Sequence, residues 1–393
     1  MLKTKDSTYK ILLAFLGLIS SIGWFFLKGA EPILSNDSYF YISYADDLMK
    51  MGFEFYKTTD CPPYYWLFPH VLSIFKSISS QHFPDLIFLL NSVCWAFCVL
   101  SMYLILNQLN IRKSIQIIGS VYFALLPECF QWNQYVLSDT IFMLLHILLS
   151  YLTLLLLNGS KKNKVYLFYS AVSLILLYSR PVAFVAVMIS FSFLFLYYVL
   201  NKQFFLFLKL IIPVVLIFSS SLILFKTTEK TSKKMEDYTA SGYANTFTNW
   251  FEEGMIIHDR PTYNIETMKE QDHVAVYYLK VFVLRFVHFW HPFLKEYSTF
   301  HLLVNAITLL PIFILGWIEI ILQLKSLIKN KFKSLLTPHV YLIAILLAYT
   351  GFHSLTLIDF DHRYRYPHLF ISVIFSCLFI SRFFKNTKFA HNE

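Results

Sequence analysis

The 393-residue chain is 57% hydrophobic and 19% aromatic, and only 15% of its residues are charged. A soluble domain carries roughly 25% charged residues, so this composition excludes an ordinary solvated globule. The net charge of +9 collects in short loops on one side of the apolar runs, and nothing in its distribution points to nucleic acid.

Apolar runs of membrane length recur, among them 86–106, 182–200 and 204–225. About 20 such residues cross the hydrocarbon as a helix, the form that satisfies its own backbone there, and the runs are too continuous for barrel strands. The expected fold is an all-α polytopic membrane protein, one integral membrane domain over 1–393 with about ten transmembrane helices and amphipathic interfacial helices in its outer loops. The chain has no G-x-x-x-x-G-K-[ST] loop and no G-x-G-x-x-G, so neither ATP hydrolysis nor a dinucleotide site is indicated.

The first run, 11–27, follows Lys3, Lys5 and Lys10 and lacks a small-x-small cleavage site. It is read as an uncleaved span rather than a signal peptide. A first outer loop, 28–85, comes next. From Tyr41 the apolar positions Tyr44, Ala45, Leu48 and Met51 recur at helical spacing, which predicts a short amphipathic helix along the outer interface. Asn36 or Asp37 is the expected cap and Gly52 the expected stop, with Asp46, Asp47 and Glu54 on a solvated face. Pro62-Pro63-Tyr64 leads toward the second span, 86–106, where Cys94 and Cys98 pack as small hydrophobes. Cys61 and Cys129 fall in outer segments, and a disulfide between them is left open.

Further spans are expected at 115–127, 140–157, 165–179, 182–200, 204–225, 302–324, 338–357 and 367–383. Those near 115 and 165 are short and imply extension by flanking aromatics or a thinned bilayer. A second long outer loop covers 226–301: 226–273 is polar, and 274–290 reads as a helix at the outer interface. Arg112-Lys113, Lys161 to Lys164, Lys202, Lys325 to Lys333 and Arg382 to Lys388 lie on one side together with the N-terminal lysines. These short basic loops put both termini in the cytoplasm of a multi-pass plasma (inner) membrane protein. Every acidic residue except Asp6, Glu319 and Glu393 falls on the opposite side.

Several stretches on that outer side share an order. Asp37-x-Tyr39, Ala45-x-x-Leu48, Gly52 and Pro62-Pro63-x-Tyr65 precede the second span. "ALLPECFQWNQYVLSDTIF" places Asp139 where a new span opens, "YSRPVAF" places Arg180 in a turn between spans, and "DHRYRYPHLF" opens the last span after "LRFVHFWHPF". In order and topology this resembles the C-type (GT-C) membrane glycosyltransferases, above all bacterial protein-mannosyltransferase-like and aminoarabinose-transferase-like members.

The resemblance implies transfer of a sugar from a polyprenyl-phosphate donor to a cell-envelope glycan, lipid or protein acceptor, usually with inversion. Asp37 is the implied general base and Asp139 a second catalytic carboxylate. Arg363, Arg365 and Arg180 are expected at the leaving phosphate, with Tyr41, Tyr64 and His362 completing the substrate-binding set. A divalent cation on Asp37 and Asp139 is left open. The segment 226–273 has no counterpart in the resemblance, and the chain has no room for a large C-terminal soluble domain.

Blander readings stand beside these. Asp37 is equally suited to capping a helix, Arg363 and Arg365 to anchoring in lipid headgroups or pairing with Asp359 and Asp361, and Arg180 to holding a turn. His288 and His291 share a helical face, but no acidic partner stands at a metal-ligand spacing; His258, His273 and His301 add no motif. The competing functions are a transporter or flippase for polyprenyl-linked glycans and an oligosaccharide polymerase or ligase. Ionisable residues in mid-span would favour transport, but the one acid in an expected span, Glu319, lies near the span's cytoplasmic end.

Overall fold

The computed structural model describes residues 2–226, 274–293, 298–331, 335–355 and 362–389. The expectations for 227–273, His258, His273, Asp359 and Asp361 lie outside the described residues. Among those described, the named elements are all helices: α1 (Leu2–Leu27), α2 (Asn36–Met51), α3 (Phe55–Thr58), α4 (Leu67–Ile78), α5 (Phe83–Gln108), α6 (Lys113–Ala124), α7 (Pro127–Phe130) and α8 (Asp139–Leu157) come first. They are followed by α9 (Asn163–Leu177), α10 (Ala183–Leu200), α11 (Phe204–Lys226), α12 (Val274–Phe289), α13 (Thr299–Lys329), α14 (Pro338–Leu355) and α15 (Leu369–Phe389).

All ten expected spans occur as helices. Seven are long and apolar enough to cross a membrane by length and composition, within α1, α5, α8, α10, α11, α13 and α15. The other three are α6, α9 and α14. At a rise of 1.5 Å per residue, the 12 residues of α6 and the 15 of α9 reach about 18 and 22 Å, short of the roughly 30 Å of hydrocarbon. After α6 the chain continues as α7 and the 3-10 turn Gln131–Gln134, which packs against α1, α5 and α8. Helices α8 and α15 are the most enclosed spans, while α1 and α11 turn most of their surface outward.

Lipid tails are as apolar as leucine, so helices in a bilayer associate through close packing and hydrogen bonds. Both are present. A Cβ on Gly17 of α1 would lie 3.0 Å from the Cα of Ala96 in α5, and one on Gly119 of α6 would overlap Cys377 Sγ in α15. A polar seam joins α1, α5 and the start of α8. The Ser21 and Ser92 hydroxyls are 2.8 Å apart, Asn133 Nδ2 donates to Ser21 at 2.8 Å, and Thr140 donates to Asn133 Oδ1 at 2.9 Å.

The two ends of the bundle differ in charge. At one end Asp6 pairs with Lys10 at 2.7 Å and with Lys113, and Glu319 accepts from Arg382 at 2.5 Å. The other end carries α2, the start of α8 and the turn before α15, and gathers the remaining described ion pairs.

The cap of helix α2 lies one residue before the expected Asn36 or Asp37. Ser35 is the N-cap, its N–H donating to Ser38 Oγ at 2.9 Å. A serine hydroxyl next to a helix start competes well for this role, so Asp37 falls inside the first turn. There its negative charge faces the positive end of the helix dipole. Gly52 ends the helix as expected, at φ 55°, with its N–H bonded to Leu48 O. The five cysteines are buried free thiols, Cys61 and Cys129 included.

Candidate active site

Backbone clips bring distant loops together before any side chain is considered. Ile33 and Tyr135 form a single parallel β-bridge: Ile33 N–H donates to Gln134 O at 2.8 Å and Val136 N–H to Ile33 O at 3.0 Å. This ties the lead-in of α2 to the lead-in of α8, a few residues from Asp37 and Asp139. Leu67 N–H donates to Tyr178 O at 2.9 Å, and Trp66 stacks on Tyr178 with the rings 4° from parallel. That contact fixes the turn bearing Arg180 against the start of α4.

Four charged groups converge as a result. Arg180 Nη2 donates to Asp139 Oδ2 at 2.5 Å and its Nε to Ser138 Oγ at 3.1 Å. Arg363 bridges both candidate carboxylates, through Nη2 to Asp37 Oδ2 at 2.6 Å and through Nε to Asp139 Oδ1 at 3.3 Å. Asp37, Asp139, Arg180 and Arg363 come from four segments, and the outermost two are 326 positions apart.

Burial separates the two acids. The Asp139 side chain is 1% exposed, whereas that of Asp37 keeps 46%. Burial works against the charge on Arg363, but Asp139, Tyr364 and Asp37 outweigh it and raise its pKa above the ordinary value. Arg180 follows the same pattern: burial opposes its charge, and Asp139, with Tyr41 and Tyr364, more than restores it. Two acids and two arginines make the cluster neutral.

Tyr41 packs against this cluster, edge-on to Phe68 with centroids 5.0 Å apart. Burial raises its phenol pKa, partly offset by Arg180, and Ser138 sits beside the hydroxyl. Tyr64 lies further out in an aromatic series: its ring is 5.1 Å from Tyr65, which is 6.2 Å from Tyr41. His362 opens the 3-10 turn His362–Tyr364, and its side chain lies outside the described residues.

Arg365 is held elsewhere. Its guanidinium donates to Glu128 Oε1 at 3.0 Å and to His291 O at 2.8 Å, and the Glu128 side chain is 1% exposed. Sequence reasoning quoted the stretch containing Glu128 without singling it out. The available signal was one acid inside the apolar run Ala124 to Phe130, a placement that is costly unless a partner compensates it.

Arg363 bridges the two carboxylates, and among the described residues no group of three His, Cys, Asp or Glu gathers as a metal site. The His288 and His291 rings stand 6.1 Å apart, nearly parallel.

No protein-family model and no curated protein sequence matches the chain. Solved structures do. The Archaeoglobus fulgidus oligosaccharyltransferase AglB, in complex with an inhibitory peptide and a dolichol-phosphate, superposes with a TM-score of 0.59 at 14% identity over 99% of this chain and 51% of its own. The apo form of the A. fulgidus oligosaccharyltransferase gives 0.57 at 13% identity over 98% and 51%, and its complex with Zn and sulfate gives 0.52 at 14% over 97% and 50%. The chain therefore spans about half the length of these proteins. Its helical bundle shares the fold of the membrane part of these oligosaccharyltransferases over nearly its whole length.

Proposed function

We propose that the protein is a membrane glycosyltransferase that moves a sugar from a polyprenyl-phosphate donor to a cell-envelope glycan, lipid or protein acceptor. The observation that carries this reading is the single guanidinium of Arg363 bridging a half-exposed carboxylate and a buried one at one end of the bundle. The likeness to an oligosaccharyltransferase solved with a peptide and a dolichol-phosphate supports a lipid-linked donor. The lysine-rich opposite end supports cytoplasmic termini and, with them, a cluster that works on the outer face of the plasma membrane.

Chemistry follows from the charge balance. Asp37 takes the acceptor hydroxyl proton as the acceptor oxygen bonds to the anomeric carbon. On the far side of that carbon the bond to the phosphate oxygen breaks, and its electron pair leaves with polyprenyl phosphate. Protonation neutralises Asp37 and releases the Arg363 charge that it had balanced. Positive charge thus becomes available as negative charge grows on the departing phosphate, an interaction stronger in the transition state than in the ground state. Arg180 and Asp139 remain paired beneath and hold Arg363 in line. Tyr41 and Tyr64 line the approach with aromatic faces.

The test offers the purified protein a panel of polyprenyl-phosphate sugars with and without acceptors and follows free polyprenyl phosphate. The reading expects release that depends on an acceptor. Transbilayer movement of the intact donor with no release would instead identify a flippase.

A further inference from the structure

A second pair of opposite charges lies close to the first. Glu128 of α7 is 2% exposed and Arg365 is 2% exposed. Arg365 Nη2 donates to Glu128 Oε1 at 3.0 Å. Its Nη1 donates to His291 O at 2.8 Å and reaches Phe289 O at 3.5 Å. Phe289 is the last residue of α12, so these carbonyls lie at the negative end of a helix dipole. One guanidinium therefore ties three segments together: α7, the end of α12 and the turn before α15.

Buried ion pairs are seldom a source of net stability, because apolar replacements of similar volume often do as well. What such a pair specifies is position. Arg365 lies between the 3-10 turns His362–Tyr364 and Tyr366–His368, two residues from Arg363, which must reach Asp37 and Asp139 at once. The other flank of the turn is fixed too: Tyr366 donates to Thr140 Oγ1 at 3.3 Å, next to Asp139.

We propose that Glu128 is a positioning residue, which acts through Arg365 to hold the 362–368 turn so that Arg363 lies between the two carboxylates. The kinetic part rests on the transferase reading; the structural part does not. Arg365 used directly on the phosphate would behave differently, since releasing it from Glu128 would then alter donor binding.

The experiment compares wild-type protein with Glu128→Gln, which keeps the volume, and Glu128→Asp, which keeps the charge. Misplacement of a reacting group by about 1 Å costs on the order of 100-fold, and that loss of kcat is expected in Glu128→Gln. Donor and acceptor KM should stay within about twofold, as for a group needed only in the transition state. Glu128→Asp should recover part of the loss. Amide exchange at 362–368 and 286–291 should rise about tenfold in Glu128→Gln, with α8 still protected.

Wild-type kcat in Glu128→Gln, a change confined to KM, or uniform loss of protection across the bundle would each overturn the proposal. Should wild-type protein turn over no donor, the transferase reading fails, and exchange at 362–368 alone decides: unchanged exchange refutes the positioning role.

Discussion

Asp37 and Asp139 share Arg363 as a partner, yet they stand in different physical situations. Asp139 is almost fully enclosed and answers two guanidinium groups, whereas Asp37 answers one and remains 46% exposed. Removing one member of a buried pair typically costs about 3–5 kcal/mol, because the other charge is left uncompensated, while an exposed pair contributes about 0–1. Asp139→Asn should therefore lower the melting temperature sharply, and Asp37→Asn should barely move it; equal shifts would show that the burial difference carries no energy. Both acids drew notice in the sequence through the family resemblance; hydrophobic spacing by itself showed only that each stands beside a helix start. Arg363 and Arg365 looked equivalent there. In the structure the tight turn between them turns one toward Asp37 and the other toward Glu128, and sequence carries no period for so short a stretch.

At the scale of elements, close approach rather than apolar area decides which helices pair. Gly119 illustrates the point: α6 lies against α15 only because no side chain stands between that glycine and Cys377. Gly119→Val should force the two helices apart at a cost of about 1–3 kcal/mol, the usual penalty of overpacking. Reduced thermal stability in detergent is the expected outcome, and unchanged stability would mean that the contact yields freely. Hydrophobic runs revealed that these helices exist, but not how far they reach. Helices α6 and α9 end early, and after α6 the chain uses the next residues for α7 and a 3-10 turn. The cap of α2 was misread by one residue for a similar reason. Ser35, Asn36 and Asp37 are all good caps, and the choice fell to the backbone bond that Ser38 accepts from Ser35.

For the whole molecule, the essential fact is convergence. Residues from the first turn of α2, the start of α8, the turn before α10 and the turn before α15 meet at one end. Alternation of apolar and polar stretches placed all four on the same side of the membrane, so the sequence restricted the site to one face. Contact within that face depends on the bridge between Ile33 and Tyr135 and on the bond from Leu67 to Tyr178. Those are backbone bonds, which side-chain identity does not encode. The claim that this meeting point performs chemistry is tested most directly by Asp37→Asn, assayed for acceptor-dependent release of polyprenyl phosphate at matched levels of folded protein. Loss of release with normal folding is predicted. Release at the wild-type rate would contradict the account.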